Sequence, residues 1–187
     1  MMRSRANRAV VYPAVALALV LVTGLAGRQP GAPAAAQTAS DNLAARVKAL
    51  EDLLPSQSHL MADVGDHFAN LWFAGQAENW PLAEFYLGET RSHLHWAVRR
   101  IPIRKDKKGQ DINLVSILEA FENSELTALK RTMDRKDRAQ FETAYRQSLT
   151  MCYSCHKAAD KPYLRPQIPQ EPPSRIMNFD PKADWPS

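Results

Sequence analysis

Apolar positions recur along most of this chain at helical spacing, between an unbroken apolar run at one end and a proline-broken segment at the other. The run Ala9 to Ala26 is 18 residues long and follows Arg3, Arg5 and Arg8. A positive start, an apolar stretch and the small residues Ala34-Ala35-Ala36 predict an export signal over residues 1–36, cleaved before Gln37. An uncleaved membrane anchor is the alternative, because a run of this length just suffices to span a bilayer. Both readings place the folded part in the periplasm.

Five helical segments follow. Residues 37–55 form a linker with an extra helix, Asp41 to Leu54, whose Leu43, Val47, Leu50 and Leu54 make a heptad-like stripe before Pro55. A first main helix is expected from Ser56 to Gln76, with Leu60, Val64, Leu71 and Gly75 on one face and Met61, Phe68 and Trp72 beside it. Asn79 and Pro81 open a second, running to Ile101. Arg104 to Asp111 reads as a charged loop, either solvated or a docking patch for an acidic partner. Asn113 caps a third helix, Leu114 to Met133, with a break expected at Asn123-Ser124. The fourth spans Asp137 to Ala159 and aligns Phe141, Tyr145, Leu149, Cys152 and His156 on one side. Residues 162–187 carry seven prolines yet also Tyr163, Leu164, Ile168, Ile176, Phe179 and Trp185, which predicts an extended tail wrapped back over the helices. Glycine is scarce and strand-like alternation absent, so the fold class is all-α, with residues 56–161 as one domain.

Charge changes the picture once the leader is set aside. Residues 1–36 hold four of the 24 basic side chains and none of the 20 acidic ones, leaving 20 of each sign. The basic balance thus belongs to the leader, and nothing points to nucleic acid or an anionic surface.

The candidate chemistry lies in Cys152-Tyr153-Ser154-Cys155-His156, which holds the only two cysteines. Cys-x-x-Cys-His is the attachment pattern of a c-type haem. Two thiols one helical turn apart can form thioethers to the two vinyl groups of a porphyrin, and the next residue sets an imidazole beneath the iron. A redox dithiol and a zinc site completed by His93 and His95 are the rival readings. The first lacks a strand running into the helix, and the second lacks ligands on one face. One covalent haem c, held by Cys152, Cys155 and His156 inside the helical domain, is the reading adopted.

This motif near the end of a fourth helix resembles the class II cytochromes c, the cytochrome c′ group, over residues 56–161. Leu71-Trp72-Phe73-Ala74-Gly75, followed by Asn79-Trp80-Pro81-Leu82, is similar to a group of uncharacterised exported mono-haem proteins. The resemblance implies an up-down-up-down four-helix bundle with the haem near one end. It also leaves a homodimer open, since class II bundles often pair through two helices. Pro162 ends the fourth helix sooner than that pattern does, with Lys157 or Lys161 as the nearest basic equivalent.

In such a bundle the group facing the iron comes from the start of the first main helix. His67 is preferred as distal ligand, with Asp63 four residues earlier to orient it; Met61 is the alternative, matching the methionine that six-coordinate class II proteins use. An open site lined by Leu60, Val64 or Phe68 is the third arrangement. The expected function is electron transfer by Fe(II)/Fe(III) cycling with transient redox partner proteins. The alternative is a five-coordinate protein binding nitric oxide or carbon monoxide. An enzyme such as a peroxidase is disfavoured, because no distal acid–base pair can be picked out.

Overall fold

The computed structural model of the chain describes residues 34–184. The apolar run Ala9 to Ala26 and Trp185 lie outside the described residues. Among the described residues no helix is long and apolar enough to cross a membrane. The chain divides into two units, Met1–Asp52 and Leu53–Ser187.

The first unit contributes helix α1, Ala34–Leu53. It begins earlier than Asp41 because Ala34-Ala35-Ala36 is the best of helix-forming sequence. It therefore takes in the position expected for cleavage. A lone helix has no core of its own, and Leu43, Val47 and Leu50 are exposed on it.

The second unit is built from helices joined by short turns. Helix α2, Gln57–Gln76, starts where the Ser56 hydroxyl accepts from the His59 amide. Helix α3, Trp80–Arg100, starts where the Asn79 side chain accepts from the Leu82 amide, with proline in the first turn. The two meet after three residues and pack along their length as an antiparallel pair. Gln57 near the start of α2 donates to the Ala97 carbonyl near the end of α3 at 2.8 Å.

The segment between α3 and the next helix is not a plain loop. Strands β1, Ile103–Lys105, and β2, Asp111–Asn113, pair antiparallel, with Arg104 opposite Ile112. Three residues per strand are too few for alternation to register in a sequence. Their turn is held by the Asp106 carboxylate, which accepts from the Lys108 and Gln110 amides at 2.8 Å each. Gly109 there has φ +78°, a conformation glycine adopts without strain.

The expected third helix is one rod with a defect in it. Helix α4, Leu114–Phe121, passes through a π turn, Glu122–Leu126, into α5, Thr127–Asp134. The Ser124 hydroxyl donates to the Ala120 carbonyl at 2.5 Å and the Thr127 hydroxyl to the Glu122 carbonyl at 2.6 Å. Such hydroxyls compete for backbone acceptors and favour the wider turn, so the expected break appears as a π turn within continuous helix. Helix α6, Arg138–Ala158, is capped by Asp137, whose carboxylate accepts from the Gln140 amide at 3.0 Å.

The described chain is thus mostly helical and all-α in class, with one small hairpin. Its core joins α2, α3, α5 and α6 through Leu71, Ala74, Ala83, Leu129 and Phe141, all fully buried. An aromatic column of Phe68, Trp72, Phe141 and Tyr145 runs between α2 and α6, with Phe68 and Tyr145 stacked at 4.3 Å.

The tail lies back on the helices as expected. Phe179 packs beside Phe73 and Tyr86, ring centroids 5.9 and 6.5 Å away, and its carbonyl accepts from Asn79 at 3.3 Å. Ile168 joins the core as well, whereas Ile176 is 95% exposed and anchors nothing.

Candidate functional site

A cavity of about 730 Å³ opens at the end of the domain where α2 and α4 begin and α3 and α6 end. That volume lies within the roughly 300–1,000 Å³ of typical small-molecule and cofactor pockets. From α2 it takes Met61, Val64, Gly65 and Phe68, which recur at helical spacing on one face. From α3 come Thr90, Leu94 and Val98, and from α4 Leu114, Ile117, Leu118 and Phe121. Helix α6 supplies Tyr145, Leu149, Met151, Cys152, Cys155 and His156, and the tail closes one side with Tyr163 to Gln167 and Pro169. A Cβ added to Gly65 would meet nothing within 4 Å, so the absent side chain leaves room in the cavity wall.

The three motif residues are brought together at this cavity, each half-buried. They stand at successive turns of α6 because 152, 155 and 156 fall on one side of a helix. Burial, then the neighbouring Cys155, pushes the Cys152 thiol up to about 12. Burial also raises Cys155. Neutral thiols of this kind are the opposite of an activated dithiol, whose attacking sulfur is made acidic by its surroundings.

The His156 ring is oriented by the tail. Its Nδ1 lies 2.9 Å from the Leu164 carbonyl, which can only accept. Nδ1 therefore carries the proton, and Nε2 is left with its lone pair, as a metal-binding imidazole requires. The tail carbonyl is itself fixed by a helix ending: Asp160 takes a left-handed φ of +59°, and the Lys161 amide donates back to the His156 carbonyl at 2.8 Å. Tyr153 ties the same segment down, its hydroxyl donating to the Pro162 carbonyl at 3.2 Å.

The rim carries positive charge. Arg104, Lys161 and Arg165 line the cavity, and among the described residues no carboxylate does. Arg104 is held in place by Gln57, whose amide oxygen accepts from its Nε at 2.8 Å and from its second guanidinium nitrogen. The hairpin is what delivers this arginine. The charged loop read from sequence thus contributes a half-buried residue to the cavity, and Lys107 from the same segment pairs with Asp160 beyond α6 at 3.1 Å.

The two distal candidates separate. Met61 lines the cavity, and His67 does not. Six residues at about 100° each put them some 120° apart round the helix, so one cavity cannot receive both. His67 instead faces α3, its ring 4.7 Å from that of His93 and 6.1 Å from that of Tyr86. His93 and His95 do not approach the cysteines either; His95 pairs with Glu122 at 2.9 Å. Sequence reasoning missed Arg104 and the Leu164 carbonyl. The helical projection of α2 already puts Met61 and His67 on opposite flanks of its apolar face, but nothing in the sequence marks a backbone carbonyl eight residues past a histidine as its partner.

No protein-family model, curated protein or solved structure matches this chain.

Proposed function

We propose that this chain is a periplasmic mono-haem c-type cytochrome, a four-helix bundle of α2, α3, α4–α5 and α6 that carries one haem c and transfers electrons. The observation that carries the reading is the convergence of Cys152, Cys155 and His156 on one apolar cavity with the His156 Nδ1 already bonded. The donor set fits the group: two thiols for thioethers, a pre-oriented imidazole for the iron, and Arg104, Lys161 and Arg165 for the two propionates. When bound, the haem supplies one-electron Fe(II)/Fe(III) cycling.

The remaining work falls to the chain. Phe68, Leu118, Phe121, Tyr145 and Leu149 exclude water and hold the walls rigid, which limits reorganisation between oxidation states. Leu164 keeps the proton on Nδ1 of His156, and Gln57 keeps Arg104 aimed at the rim. Met61 is the α2 side chain at the cavity that could offer a sulfur to a bound iron, so it is proposed in place of His67 as the second protein ligand. A thioether ligand would raise the reduction potential above that of a two-histidine haem. A peroxidase would need an acid–base pair opposite His156. Among the lining residues there is no carboxylate and no second histidine. With equal numbers of acidic and basic side chains after residue 36, redox partners would bind weakly and briefly.

A second reading has its own support. The α2 wall next to Met61 is Val64, Gly65 and Phe68, apolar and roomy, as a five-coordinate haem that binds nitric oxide or carbon monoxide requires. Optical spectra of the reduced holoprotein with and without carbon monoxide separate the two. Electron transfer predicts a low-spin haem that carbon monoxide leaves untouched, made high-spin and gas-binding by Met61→Ala and unchanged by His67→Ala. Ready binding of carbon monoxide by the unaltered protein would establish the gas-binding reading, and a spin change in His67→Ala alone would return the ligand to His67.

A further inference from the structure

We propose that His67, Glu89 and His93 form a second metal site, separate from the haem cavity, for a divalent transition ion of the zinc type. One ligand atom from each of the three lies within 4.8 Å of the others, close enough to converge on a single ion. None of them lines the haem cavity, so the inference stands or falls independently of the haem.

The local sequence explains the convergence. Glu89 and His93 are four apart on α3, hence stacked on one face, and His67 meets them from the antiparallel α2. Asp63, one turn before His67, brings a carboxylate oxygen to 3.9 Å from Nε2 of His93. His67, Glu89 and His93 are the three that converge, an N₂O set that leaves the fourth position of a tetrahedral zinc to water, with Asp63 beside it.

Two further features point to a ligand. The Nδ1 of His93 donates to the Glu89 backbone carbonyl at 3.0 Å, leaving Nε2 as the free lone pair on the Asp63 side. The Nδ1 of His67 is buried and has no hydrogen-bond partner among the described residues. A buried polar nitrogen without a partner is disfavoured, and an arriving cation or its bound water would satisfy it. Imidazole and carboxylate together select zinc, copper or nickel over magnesium or calcium. Bound there, the ion would clip α2 to α3 behind the wall that carries Met61.

Calorimetric titration of zinc into untagged, chelator-treated holoprotein tests this. The expected result is one zinc per chain and a thermal midpoint that rises with zinc. Losing an orienting partner already weakens metal binding ~10–100-fold, so His67→Asn and His93→Asn should each weaken it by about 100-fold or more. Glu89→Gln, which keeps the side-chain shape, should abolish the thermal shift while preserving the haem spectrum. His95→Asn, altering an exposed histidine outside the cluster, should bind as the parent does. The proposal is overturned if zinc heat is absent, or if it survives His67→Asn and disappears in His95→Asn.

Discussion

Tyr145 lies where the core becomes the cavity wall, and its chemistry shows how narrowly single residues are constrained here. It is fully buried, stacked on Phe68, and its hydroxyl donates to the Phe68 carbonyl at 2.9 Å. Tyr145→Phe should therefore lower stability by about 0.5–1.5 kcal/mol in denaturant titration, the net worth of one hydrogen bond. Burial holds the phenol well above its ordinary 10.0 and also raises Tyr86. A folded value above the unfolded one means the stabilisation is intact below about pH 10 and is lost as pH climbs past it. Tyrosinate absorbance from Tyr145 should thus appear only together with unfolding, and Tyr145→Phe should flatten the alkaline loss. Gly75 is constrained by contact: a Cβ there would sit 2.2 Å from Cε1 of the fully buried Phe141. Gly75→Ala should cost about 1–3 kcal/mol as an overpacked core, readable as a lower thermal midpoint. At this scale the sequence was legible where one stripe of α6 decided the outcome, at Cys152, Cys155 and His156. At His67 it was less so: i, i+4 spacing to Asp63 says that two side chains are neighbours and not which way they face, and the ring lies beside His93 and not on the cavity wall.

The helices were the most legible elements, since their caps are written in single residues: Ser56, Asn79, Asn113 and Asp137 each accept from an amide three positions on. Their ends were less so. Glu78, Lys136 and Asp160 each take a left-handed φ, between 54° and 59°, just past α2, α5 and α6, where many helices place glycine. Lys136→Gly should stabilise the fold by about 0.5–1 kcal/mol, the steric penalty relieved less the added chain entropy. The hairpin was hidden because three-residue strands carry no period, and the π turn because hydroxyl competition is a local effect that apolar spacing does not record. The tail is the element with most bearing on the site, since Leu164 orients His156 and Tyr163 to Gln167 close the cavity. On the proposed function, truncation before Tyr163 should leave a covalently held haem attached but speed its reduction by small reductants. An unchanged rate would show that the tail does not shield it.

For the whole molecule, the account joins an all-α fold, an apolar cavity at one end and a motif able to hold haem covalently. The fold class follows from apolar spacing, whereas the cavity does not: its Arg104 rim, its Gly65 recess and its tail-side wall come from segments far apart in the chain. What the account rests on is the covalent link at Cys152 and Cys155. The most direct test is the mass of the protein matured in a haem-attaching periplasm, measured after denaturation and extraction of free haem. The account predicts one haem retained per chain, and none when both Cys152 and Cys155 are replaced by alanine. A chain of bare polypeptide mass with two free thiols would contradict it.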